Sequence, residues 1–176
     1  MENQTVSSKS IMLSKGVMLG IASILLAVTV YALGQSYDQP FWATLVSIVL
    51  TIVVIAMGLK EFKGGNGGFL KLGEALKIGL GISLISAIVY VIYFMVFINF
   101  IEPNFYENMY AVQESAWIDA GMTDEQIDGA KSMFETMANP MVTSGIVLIS
   151  SLFFGFITSL IVGLIMKKSN EEVTSI

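Results

Sequence analysis

KEFKGGNGGFLKLGEALKIGLGISLISAIVYVIYFMVFINFIEP, residues 60–103, is a lysine-studded glycine joint running into a long uncharged segment. Lys60 to Gly68 carries four glycines. Glycine loses the most backbone freedom on ordering, so this joint is expected to stay out of regular structure. Phe69 to Lys77 returns to helix formers with a charge about every third position. Ile78 to Ile101 then runs about 24 residues without a charge, enough to cross a hydrocarbon core of about 30 Å. Glu102-Pro103 closes the run. The rest of the chain either pairs with this helix or hangs from its two ends.

Composition places the whole chain in the same solvent. Of 176 residues, 55% are hydrophobic and 13% charged, against about 25% charged in a soluble domain. The mean hydropathy is +0.75. Cysteine, histidine and arginine are absent, and all nine basic residues are lysines. That removes a thiol nucleophile, imidazole acid–base work and His or Cys metal ligation. It also removes bidentate guanidinium recognition of phosphate.

Working outward from the quoted helix, three more runs match its length. Gly16 to Tyr37 is uncharged for about 22 residues, with Lys9 and Lys15 just before it. Val30-Tyr31-Ala32 loosely fits a cleavage site, but a signal core is about 7–15 residues long, so the run reads as a retained first span. Asp38-Gln39-Pro40 reads as a tight turn. The second span is Phe41 to Leu59, with Phe41-Trp42 at the headgroup level. The third is residues 78–101. The fourth is Met141 to Met166, uncharged and anchored by Lys167-Lys168 before a polar tail.

Between the third and fourth spans the pattern becomes amphipathic. Asn104-Phe-Tyr-Glu107 and Thr123-Asp-Glu-Gln126 both fit capping boxes, with Gly121 as the stop between two helices. In the second helix Ile127, Ala130, Met133, Phe134 and Met137 share one arc, opposite Asp124, Asp128, Lys131 and Glu135. Tyr106, Tyr110 and Trp117 share a stripe of the first. Residues 104–139 therefore read as a helical hairpin on a membrane surface. The fold class is an all-α integral membrane protein: one four-span domain over residues 1–176 with an external amphipathic hairpin.

Charge fixes the orientation. Glu102 to Pro140 holds eight acids against Lys131, while the other eight lysines lie near the N-terminus, the second-to-third connection and the C-terminus. The positive-inside rule then puts both termini in the cytosol and the hairpin outside. No basic surface of useful size is left for nucleic acid.

Few residues suggest chemistry. KGGNGGFLK lacks the spacing of a phosphate loop, and no strand precedes it. The spacing of Asp119, Asp124, Glu125 and Asp128 does not match a calcium loop. Small and hydroxylated residues form stripes: Gly16, Gly20, Ser23, Ala27 and Gly34 in the first span; Gly79, Ser83, Ser86, Tyr90 and Tyr93 in the third. Ser144, Ser151, Gly155 and Thr158, with Ser159 beside them, do so in the fourth. Close helix packing explains such stripes, since small residues let backbones approach. A polar solute path is the competing reading. No ionisable side chain lies in the middle of a span, where coupled carriers place one. Asn99 and Glu102, at the outer end of the third span, read as partners of the helix end.

Asn66 to Gly79 (NGGFLKLGEALKIG), the Phe100-Ile-Glu-Pro103 exit and Gly121 to Asp128 (GMTDEQID) resemble a bacterial family of four-span membrane proteins catalogued only as a domain of unknown function. The resemblance implies a four-helix inner-membrane protein and brings no activity, substrate or catalytic residue.

The sequence therefore points to a non-enzymatic accessory, assembly or structural membrane protein. An oligomeric small-solute transporter or channel subunit is the alternative. No catalytic, cofactor or metal-binding residue is expected, and substrate-binding residues stay open. The expected partners are the lipid bilayer and either another protein or a second copy of the chain. Reporter fusions test the orientation: those after Gly67 and Ile176 should report cytosol and one near Gly121 the outside. A cytosolic signal at Gly121 would overturn the lysine argument.

Overall fold

The computed structural model describes residues 7–37 and 40–168. The turn expected at Asp38 and Gln39 and the tail after Lys168 lie outside the described residues, as do the first six. Six α-helices follow in order: α1 (Ser8–Ala32), α2 (Phe41–Gly65), α3 (Leu72–Val96), α4 (Phe105–Asp119), α5 (Asp124–Met137) and α6 (Pro140–Met166). A π-helical turn, Phe97–Ile101, continues α3. Four helices are long and apolar enough to cross a membrane, with α3 and its π-turn counted as one 30-residue span. They are the four expected.

Their faces explain the arrangement. Helices whose apolar residues run all round have no amphipathic stripe, so lipid covers the outside and small residues mark where helices meet. α3 is the central helix, with α1 and α6 packed along it and α2 closing the other side at one end. Gly16 and Gly20 of α1 seat against Ile85 and Val89 of α3, so closely that added Cβ atoms would lie 2.6 and 2.7 Å from those Cβ atoms.

α3 and α6 run antiparallel through three matched pairs: Ala75 with Gly163, Gly79 with Ser159, and Ser83 with Gly155. Each helix offers a small residue every fourth position, and each glycine receives the side chain opposite. Ile11, Ile55, Leu59, Ile78 and Ile82 form the buried core beside them, each at most 1% exposed.

The lysine-rich ends of the four helices are tied together. Lys15 pairs with Glu61 at 2.7 Å. Lys63 Nζ donates to Met166 O at 2.7 Å, placing a cation where α6 leaves its last carbonyls open. Leu70 and Lys168 exchange two backbone hydrogen bonds of 3.0 Å, with Leu70 fully buried.

The glycine joint therefore departs from expectation. α2 stays helical through Gly65, and only Gly67 and Gly68 turn at positive φ, 65° and 85°. Tertiary ties outweigh the entropy that glycine loses there. α3 starts at Leu72, within the stretch of helix formers before the uncharged run, where Glu74 accepts from the Lys71 N–H at 2.8 Å.

Other boundaries also shift. α1 ends at Ala32, five residues before the expected edge of the first span, because Gly34 at φ 70° terminates it. At Thr123 the capping box forms, with Gln126 N and Thr123 Oγ1 at 3.4 Å and the return bond at 2.9 Å. At Asn104 it does not: φ −91° and ψ 15° lie outside the extended region a capping residue needs. Asn139 caps α6 instead, accepting from Met141 N and Val142 N ahead of Pro140 at the first turn.

α4 and α5 meet where Tyr110 packs on Phe134, ring centroids 5.4 Å apart, under Lys131. On α5, Ile127, Ala130 and Phe134 are half-buried, while Met133 and Met137 of the same arc are exposed. The hydroxyl of Tyr110 donates to Glu114 at 2.8 Å. That bond, with the surrounding carboxylates, raises its pKa above the ordinary tyrosine value.

The α3–α6 contact yields a stability test. A leucine at Gly155 would meet Ser83, whose Cβ lies 2.5 Å from where a Gly155 Cβ would sit. Gly155→Leu should cost about 1–3 kcal/mol in detergent-induced unfolding. Ile161→Leu, at a 54%-exposed position, should change little. Val162 packs against the core and is no such control.

Candidate functional site

The bundle is close-packed toward its lysine-rich end, and Phe94, Phe97 and Ile98 are buried again toward the other. Between them, Thr44 to Val49 of α2 are all exposed. The space left is a cleft of about 560 Å³ between α1, α2, α3 and α6. That is within the range of about 300–1,000 Å³ typical of small-molecule sites.

The cleft has a floor, walls and a rim. Leu19, Thr51, Ser83 and Thr158 are the deepest lining residues of the four helices. Immediately below lie Ile55, Ile82 and the Gly79–Ser159 contact, which leave Ile55, Ile82 and Ser159 fully buried. The cleft is blind.

Hydroxyls and rings line its walls. Ser86, Tyr90 and Tyr93 climb α3, facing Ser23 and Ala27 of α1 and Ser151 of α6. The aromatic ladder continues upward, with Tyr90–Tyr93 centroids at 6.0 Å, Tyr93–Phe97 at 5.9 Å and Tyr31–Phe97 at 5.1 Å, the last edge to face. Phe105 of α4 completes the ladder at 5.7 Å from Phe97. No charged side chain lines the cleft among the described residues.

The π-turn shapes the rim. Glu102 N reaches back five residues to Phe97 O at 2.8 Å, a wider turn that continues α3 to the Glu102-Pro103 break. The Glu102 carboxylate accepts from Tyr31 OH at 3.1 Å and from Asn108 Nδ2 at 3.0 Å, and Asn108 also donates to Tyr37 OH at 3.1 Å. One carboxylate thereby links the outer ends of α1, α3 and α4. Asn99 bonds back within its own helix, donating to Met95 O at 2.7 Å, and does not reach the helix end at Pro103. Glu102 has the larger role of joining helices.

The small-residue stripes divide by depth. Gly16, Gly20, Gly79, Gly155 and Ser159 pack helix on helix, while Ser23, Ala27, Ser86, Tyr90, Tyr93, Ser151 and Thr158 line the cleft. Ser83 does both. Gly34 lies in the turn after α1, and Ser144 bonds back to Pro140 O at 2.7 Å. Asp119, Asp124, Glu125 and Asp128 do not gather into a group of three that would hold a metal. The contribution of α2 is new: Thr44, Ser47 and Thr51 line the cleft at i, i+3, i+7, a helical spacing visible in the sequence.

Fold and site together define a four-span helical membrane bundle with a blind, uncharged, hydroxyl- and ring-lined cleft. The chain belongs to the DUF4199 family, described as proteins of unknown function, whose model matches residues 15–168. No curated protein and no solved structure matches it.

The rim network is open to mutation. Glu102→Ala removes the acceptor for two exposed bonds and should lower stability by about 0.5–1.5 kcal/mol in thermal unfolding of the purified protein. Glu102→Gln, which keeps an acceptor oxygen, should lose less.

Proposed function

We propose that this is a non-enzymatic accessory protein of the bacterial inner membrane, with both termini in the cytosol, that works by binding a molecule in its cleft. The observation that carries the reading is the blind floor. Ile55 and Ile82 close the bundle below Ser83 and Thr158, so the cleft receives without conducting. The lysines support the orientation. Lys15, Lys60, Lys63, Lys71, Lys77, Lys167 and Lys168 lie around the sealed end, and the cleft lies in the opposite half of the bundle.

Chemistry is disfavoured by the lining. A serine or threonine nucleophile needs an adjacent base, and among the described residues the cleft offers hydroxyls, rings and aliphatic groups without a lysine or carboxylate. An oligomeric transporter or channel subunit is the second reading, favoured by hydroxyls from α1, α2, α3 and α6 converging on one space. It requires the floor to open.

Proteoliposomes separate the two. Glycerol efflux from vesicles carrying the protein should match empty vesicles. Efflux that scales with protein content and is blocked by Ala27→Phe, at the cleft wall, would make transport the function instead.

A further inference from the structure

Ser83 stands at the junction of the packed half and the cleft, 3% exposed and on the cleft floor. Its Oγ has no hydrogen-bond partner among the described residues. Neighbouring hydroxyls are satisfied within their own helices: Ser159 on Gly155 O at 2.5 Å, Ser23 on Leu19 O at 2.9 Å, Thr51 on Ser47 O at 2.9 Å. Buried polar atoms are nearly always paired, so a solitary buried hydroxyl on a cavity floor marks a place for a partner that arrives from outside. The Oγ lies against Gly155, while Ser83 also lines the cleft, so pairing with a molecule there requires the hydroxyl to rotate about the Cα–Cβ bond.

The cleft constrains the partner's chemistry. With no charged lining residue among the described ones, an ionic group at the Ser83 floor would be buried without a described counter-charge, which membrane interiors strongly disfavour. The Tyr90, Tyr93 and Phe97 ladder offers ring faces and edges to an apolar body. The approach is lateral: Thr44, Ser47 and Ile48 line the cleft and are exposed on the outer half of α2, where bilayer would surround them.

Resting on the reading of the cleft as a binding site, we propose that its ligand is an uncharged lipophile bearing one hydrogen-bonding oxygen. The oxygen pairs with Ser83 at the floor, and the apolar body lies along the aromatic wall. The ligand enters from the bilayer past the exposed half of α2, polar end inward.

Thermal unfolding in phosphatidylcholine nanodiscs tests this with three additives of matched chain length: oleyl alcohol, oleyl sulfate and octadecene. Oleyl alcohol should raise the unfolding midpoint of the wild type in a saturable way, and the charged sulfate and the oxygen-free alkene should not. Ser83→Ala should unfold no earlier than wild type without additive, because it removes an unpaired hydroxyl. It should also raise the half-saturating alcohol fraction about 3–10-fold. An equal response to octadecene or to oleyl sulfate would overturn the neutral-oxygen claim. An unchanged alcohol titration in Ser83→Ala would overturn the role of Ser83. If Ala27→Phe then abolishes the response, the cleft still binds and only the anchor was wrong. If wild type shows no response to any additive, the proposal falls, and the glycerol-efflux comparison decides the broader reading on its own.

Discussion

Three pairs of small residues decide how close α3 and α6 lie, and the rest of the bundle follows from that distance. Lipid tails are as apolar as leucine, so helices in a bilayer gain nothing from hiding apolar side chains from water and associate through contact alone. Ala75–Gly163, Gly79–Ser159 and Ser83–Gly155 supply that contact, each notch filled by the residue opposite. Because the pairing is antiparallel with a period of four, one register fits all three, and a slip by one residue would bring bulky side chains into the notches. α1 joins the same helix by a similar device, Gly16 and Gly20 on Ile85 and Val89. Both neighbours of α3 are thereby placed by glycines.

The α3–α6 zipper stops at Ser83, while α1 stays packed on α3 as far as Gly20 against Val89. Above Ser83, α3 presents Ser86, Tyr90 and Tyr93 to the cleft, and α6 presents Ser151 and Phe154. α2 lines the same space with Thr44, Ser47 and Thr51, of which Thr44 and Ser47 are exposed. The cleft therefore begins where the matched small pairs of α3 and α6 end.

The four spans were legible because an uncharged run longer than 18 residues has few other readings, and the lysines mark their ends. The Thr123 box and the Gly121 stop were legible because capping is local. Less visible were features made by tertiary contact. Leu70 and Lys168 are 98 positions apart, and nothing in KGGNGG announces that α6 will pin it. Asn104 carries the right capping residue, but the π-turn and Pro103 set its backbone outside the range a cap requires. The stripes were read as a choice between packing and a polar path. Periodicity reports which residues share a face and leaves unsaid how far away the facing helix lies, so one stripe holds both.

The two ends of the bundle are held by different numbers of ties, which bears on how the cleft fills. At the sealed end an ion pair, a lysine on a helix terminus and a two-bond backbone bridge connect α1 to α2 and bind α6 to α2 and to the stretch leading into α3. At the open end Glu102 joins α1, α3 and α4, and Tyr106 OH reaches Thr143 of α6 at 3.0 Å. α2 is attached there through Trp42 Nε1 on Gln35 at 3.1 Å, a bond to its own connecting loop. The outer half of α2 is therefore the wall with the fewest ties to the rest. Val54 and Ile55 enter the core below that half, so the α3–α6 zipper does not depend on it. A molecule of the proposed kind, entering from the bilayer, would meet the least-tied wall first and the packed floor last.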